Sequence, residues 1–106
     1  MNLEKFKDRM ASDISLTPEE RKSTLNRSIK ACNWKTKTTI CMEELAELSQ
    51  ALSKQIRKCG DRYNLLEEMA DVCICIEYMK MIFGIDETTL QKAIDVKIER
   101  ERHRLK

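Results

Sequence analysis

The stretch that decides the fold is Cys41-Met42-Glu43-Glu44-Leu45-Ala46-Glu47-Leu48-Ser49-Gln50-Ala51-Leu52-Ser53-Lys54, read with its sequel Asn64-Leu65-Leu66-Glu67-Glu68-Met69-Ala70-Asp71-Val72-Cys73-Ile74-Cys75-Ile76-Glu77-Tyr78-Met79. In both, apolar residues recur at three- and four-residue steps with acids between them, which is helix spacing. Cys41, Leu45, Leu48, Leu52 and Ile56 form one stripe. Leu65, Met69, Val72, Cys73, Ile76, Met79 and Phe83 form the other. The pattern predicts a helix over 37–58 and another over 64–83. Gly60 is expected to end the first, just past its C-cap, with Arg57 and Lys58 well placed in the last turn. Asn64 is expected to cap the second, with Glu67 as its capping-box partner.

Outward from this pair the signals stay helical. Thr17-Pro18-Glu19-Glu20 has an N-cap, a proline at the first helical position and a capping-box acid, and that helix should run to about Cys32. Asn33-Trp34-Lys35-Thr36 breaks the pattern. Leu3, Phe6, Met10 and Ile14 make residues 1–16 a short helix or a loosely docked N-terminal arm. Gly84 stops the 64–83 helix and Asp86 caps another, with Leu90, Ala93 and Ile94 on its apolar side. No strand, repeat or low-complexity segment is evident. The expected fold is all-α, an antiparallel bundle of about four helices joined by short connections, forming a single domain over 1–106.

Composition narrows the function. The 106 residues are 42% hydrophobic, 36% charged and 5% aromatic, which suits a small aliphatic helical core. A net charge of +2 gives no case for bulk binding to nucleic acid, although the last fifteen residues are rich in Lys and Arg. No apolar run reaches membrane-spanning length and no apolar signal core opens the chain, so a cytoplasmic location is expected. The five cysteines lack zinc-ligand spacing and read as buried reduced thiols.

The acids carry the chemistry. Taking about 100° per residue, Glu44 falls roughly 80° from the centre of the first stripe, with Glu47 further round the same way. Glu68 falls roughly 70° from the centre of the second, with Asp71 further round in the same sense. In an antiparallel pair the two flanks meet, so Glu44, Glu47, Glu68 and Asp71 should converge on one rim. Glu43 and Glu67 point more nearly to the far side. Carboxylates so close repel one another, and a hard oxygen-seeking cation relieves the repulsion. Mg²⁺, or Mn²⁺ in its place, is the natural ligand, and four carboxylates leave room for two ions. An isolated ExxE is ordinary helix surface; two with matching offsets on consecutive helices are less easily dismissed.

Glu43-Glu44-x-x-Glu47 followed by Glu68-x-x-Asp71 resembles the EExxE…ExxD signature of the MazG-like all-α nucleoside triphosphate pyrophosphohydrolases. The flanking apolar pattern, Ile82-Phe83-Gly84-Ile85-Asp86 and the basic last helix extend the likeness over about residues 30–104. The resemblance implies hydrolysis of a nucleoside triphosphate between its α and β phosphates, giving a nucleoside monophosphate and pyrophosphate. It implies that Glu44, Glu47, Glu68 and Asp71 hold Mg²⁺. Glu43 matches the first acid of the motif and would orient water or a neighbouring group. Lys97 and Arg100 would meet phosphate from the last helix, as they share a face; the alternative is a solvated basic tail. Lys54 and, more weakly, Lys37 are further phosphate candidates. Trp34 would stack on the base or simply anchor the first helix. His103 lies in the charged tail and has little claim to catalysis. A homodimer or homotetramer is implied, with helices of two subunits completing the site.

Such chemistry needs positioning and charge neutralisation rather than a covalent nucleophile. Two rivals stand beside it. One is a non-catalytic helical regulatory or interaction module on the same fold. The other is a narrow-specificity hydrolase acting on dUTP, dCTP or phosphoribosyl-ATP. No base-pocket signature separates the substrates.

Overall fold

A computed structural model describes residues 2–106 of the chain. Among them are five helices and no strand: α1 (Leu3–Met10), α2 (Pro18–Lys30), α3 (Trp34–Ile56), α4 (Arg62–Phe83) and α5 (Glu87–Arg104). The all-α expectation holds, and the helix beyond the four expected is α1.

Local chemistry sets the ends. Thr17 and Glu20 form the reciprocal capping box of α2, at 3.1 and 3.0 Å. Gly84 closes α4 at φ 67°, a left-handed conformation that glycine adopts without steric cost. Asp86 caps α5 through Thr89 N at 2.7 Å. Two ends differ from expectation. Asn33 does not merely break the pattern; its Oδ1 accepts from Thr36 N at 2.8 Å, so α3 begins at Trp34. Asp61, not Asn64, caps α4, accepting from Tyr63 N at 2.6 Å and Asn64 N at 3.3 Å. At the end of α3 the left-handed residue is Lys58, at φ 59°, not Gly60. Gly60 answers another need: a Cβ there would lie 2.6 Å from Gln55 Nε2 and 3.2 Å from Gln55 N.

α3 and α4 form an antiparallel pair and are the main packing unit. The α3 seam runs Lys37, Cys41, Glu44, Leu48, Ala51, Gln55, alternating steps of four and three, which is the spacing of interlocking helices. Lys37, Cys41 and Ala51 are buried. Leu65, Glu68, Asp71, Val72, Cys75 and Met79 answer from α4, with Cys75 buried and the rest half-buried. The expected stripes are therefore only partly the core. Leu45, Leu52 and Ile56 are exposed, as are Met69, Cys73 and Phe83. The real α3 seam is rotated toward the acids by about 50° at 100° per residue.

The other helices pack on this pair unequally. α1 is docked: Lys7 Nζ donates to Asp61 Oδ2 at 3.1 Å and lies 5.6 Å from the centre of the Tyr63 ring. α2 is tied through Ser28, whose Oγ accepts from Lys37 Nζ at 2.9 Å and from Tyr78 Oη at 3.1 Å. α5 is held by the ion pair of Lys80 with Glu87 and then projects, exposed everywhere except at Leu90 and Glu99. The radius of gyration is 16.3 Å, whereas about 13 Å is usual for a compact chain of this length.

Candidate metal centre

The seam position of the acids follows from the helix register. Glu44 lies one turn after Cys41 and one turn before Leu48, all on the α3 face that meets α4. Glu68 stands at the middle of the α4 face, with Asp71 one turn on. Each of Glu44, Glu68 and Asp71 offers a carboxylate oxygen, and these oxygens lie within 4.8 Å of one another. Glu44 and Glu68 are each half-buried at this edge of the pair. Their Oε2 atoms are shut off from solvent and have no hydrogen-bond partner among the described residues.

Such an arrangement is costly as it stands. A buried oxygen that has lost water and gained no donor forfeits its solvation, and neighbouring negative charges add repulsion. The titration of the acids registers both effects. Burial, followed by the charges of Asp71 and Glu47, pushes Glu44 up to about 7. Burial, then the Glu47 and Asp71 carboxylates, raises Glu68 above its ordinary value. No ammonium or guanidinium forms a salt bridge with any of these acids among the described residues. Clustered anionic oxygens with no protein donor are the donor set that a hard divalent cation takes. The residues therefore fit such an ion.

The remaining candidates lie at varied distances from this centre. Glu47 is exposed but close enough to perturb both Glu44 and Glu68, so it stands at the solvent mouth. Glu43 is exposed and outside the cluster. Lys54 is exposed, ten residues and so about 15 Å along the helix from Glu44. Lys97 and Arg100 line a small cleft on α5 with Glu101 and Arg104. α5 packs broadly on no other helix, and neither cation forms a salt bridge with the acids among the described residues. Trp34, 51% exposed, sits at the start of α3 and meets Phe83 edge-on at 6.2 Å, leaving part of its ring open. A groove of about 1300 Å³ runs between α2 and the outer face of α4.

Lys37 was the weakest phosphate candidate in the sequence, and among the described residues it is the one charged residue that is buried, at 8% exposure. Its ammonium lies 4.6 Å from the centre of the Tyr78 ring and binds Ser28, so it serves the packing of three helices. The four-three spacing of residues 37, 41 and 44 was the signal that placed it in the seam. The expectation of five buried thiols is also corrected. All five are free, but only Cys41 and Cys75 are buried; Cys59 and Cys73 are exposed. Among the described residues, no helix is long and apolar enough to cross a membrane.

Comparison with known proteins gives no assignment: no family model, curated protein or solved structure matches the chain.

Proposed function

We propose that the protein is a Mg²⁺-dependent nucleoside triphosphate pyrophosphohydrolase of the MazG-like all-α kind, acting in the cytoplasm as a homodimer or homotetramer. The observation that supports this most is the pair of covered, unpartnered carboxylate oxygens on Glu44 and Glu68, grouped with Asp71. A seam of small and apolar residues that gives up central positions to acids loses stability, and a bound cation offsets that loss.

Glu44, Glu68 and Asp71 would hold Mg²⁺, with Glu47 joining from the solvent side. The ion, when bound, supplies charge neutralisation for the triphosphate and electrophilic activation of the phosphorus under attack. Glu47, exposed beside Glu68, would orient a water and accept its proton. The α3–α4 pair, the main packing unit, would hold the carboxylates together while the substrate enters from the open side. Lys97 and Arg100 would meet phosphate in a partner subunit, since α5 packs broadly on no helix of its own chain.

Assembly belongs to the same reading. The accessible surface is 8595 Å², whereas about 6,200 Å² is usual for a folded monomer of this mass. The excess, with Leu45, Leu52 and Ile56 in the open, suits burial against another copy.

Pyrophosphate release from a panel of ribo- and deoxyribonucleoside triphosphates with Mg²⁺, with product identification, tests the activity and separates dUTP or dCTP specialists from broad enzymes. Phosphoribosyl-ATP belongs in the same panel. A helical regulatory module would turn over none of them and gain no stability from Mg²⁺.

A further inference from the structure

Next to the acids lies a second group that the proposed hydrolysis does not use. Cys41 and Cys75 face each other across the α3–α4 seam, 1% and 2% exposed. Cys41 Sγ donates to the Cys75 carbonyl at 3.9 Å. Burial, then the neighbouring Cys41 thiol, and then the Glu44 and Asp71 carboxylates hold the Cys75 thiol up at about 12. The Cys41 thiol therefore lies against the Cys75 backbone, with both side chains covered in the same seam. Cys41 is three residues before Glu44 and Cys75 four after Asp71, one helical turn in each case. The other three cysteines have no such partner: Cys32 Sγ donates to Ser28 O and Cys59 Sγ to Lys54 O, each on its own helix or turn, while Cys73 faces the outer groove.

We propose that Cys41 and Cys75 are a redox modification site, a dithiol that a peroxide oxidises to a disulfide stapling α3 to α4 beside the acid cluster and weakening its hold on a divalent cation. The chemistry closes with hydrogen peroxide as oxidant. One sulfur attacks the O–O bond and becomes a sulfenic acid, and the first water leaves. The second sulfur displaces the hydroxyl, the S–S bond forms, and the second water leaves. Two electrons and two protons pass from the pair to the peroxide. A disulfide holds its sulfurs at about 2.05 Å, much closer than two thiols in contact. Forming it draws the helices together one turn from Glu44 and Asp71, and ligand sets lose function with displacements of about 1 Å. Because both thiols are covered, peroxide reaches them when the seam opens, so the reaction should be slow and run to completion only with time.

The effect on the cation rests on the metal reading above; the linkage itself does not. Cys73 shares a tryptic peptide with Cys75, so the experiment uses Cys73→Ser protein, which leaves the seam intact. After hydrogen peroxide, remaining thiols are alkylated under denaturing conditions and the digest is mapped by mass. The Mg²⁺-induced rise in melting temperature is measured before oxidation, after it, and after dithiothreitol. The expected result is a cross-linked pair of peptides 38–54 and 63–80, a Mg²⁺ shift cut by at least half, and recovery on reduction. Cys41→Ser protein should keep its Mg²⁺ shift through the same treatment. Alkylation of both Cys41 and Cys75 after prolonged oxidation, or a cross-linked protein with an unaltered Mg²⁺ shift, would overturn the proposal. Absence of any Mg²⁺ shift in the reduced protein would overturn the metal reading and the coupling with it, while the mapped linkage would still report on the dithiol.

Discussion

Glu44 on α3 and Glu68 on α4 occupy seam positions that interlocking helices ordinarily fill with apolar side chains, and each keeps one carboxylate oxygen covered and unpartnered. Two seam positions thus work against the stability of the metal-free fold. Replacing one of them with a neutral isostere should show it. Glu44→Gln is expected to raise the stability of the metal-free protein at pH 8 by about 1–2 kcal/mol while abolishing the Mg²⁺-linked gain. Urea denaturation with and without Mg²⁺ measures both.

The pH dependence has a definite sign. Glu44 titrates near 7 in the folded protein and near 4.5 when unfolded. Between those values the folded state binds the extra proton, so metal-free stability falls as pH rises from about 4.5 through 7. Cation binding needs the ionised form, so the Mg²⁺-linked gain should grow over the same window. Melting curves at pH 5, 6, 7 and 8, each with EDTA and with Mg²⁺, are expected to diverge as pH increases.

Lys37, Ser28 and Tyr78 join three helices at one point, 2.9 Å and 3.1 Å from the serine hydroxyl oxygen. Lys37→Ala removes the buried stem and the cation over the ring and should cost about 2 kcal/mol; Tyr78→Phe removes one hydrogen bond and should cost about 1 kcal/mol. Denaturant midpoints check these values. Far-ultraviolet circular dichroism should remain helical in both variants.

Lys58 stands in the left-handed region at φ 59°, where a side chain is disfavoured. Lys58→Gly is expected to stabilise the protein by about 0.5–1 kcal/mol without altering Mg²⁺ binding. A thermal melt in EDTA reads the gain directly.

Much of this molecule was legible where the signal was local. Thr17, Pro18 and Glu20 announced α2, and Gly84 with Asp86 marked the α4–α5 corner, because caps act within a few residues. Asn33 and Asp61 were missed as caps because each precedes a polar or aromatic residue rather than an apolar run. The acids that meet were legible from their spacing, but their depth was not. Hydrophobicity pointed to Leu45, Leu52 and Ile56 as the seam, whereas the close approach of α3 and α4 uses Cys41 and Ala51, which are small, and admits Glu44 and Gln55 between them. A strict heptad count would have found that face. The projection of α5 depends on packing that no local pattern in the sequence reports.

Assembly is checked by substitution on the exposed stripe. Wild-type protein is expected to sediment as a dimer or tetramer, and Leu52→Glu with Ile56→Glu to shift it toward monomer. A wild-type monomer at working concentration would count against the shared site.

The central claim is that the seam acids hold a divalent cation. Mn²⁺ binding followed by electron paramagnetic resonance tests it most directly, because free ion is counted as it disappears. The wild-type chain should take up one or two ions, and Glu68→Gln should lose most of that affinity. Uptake by neither protein, or equal uptake by both, would contradict the account.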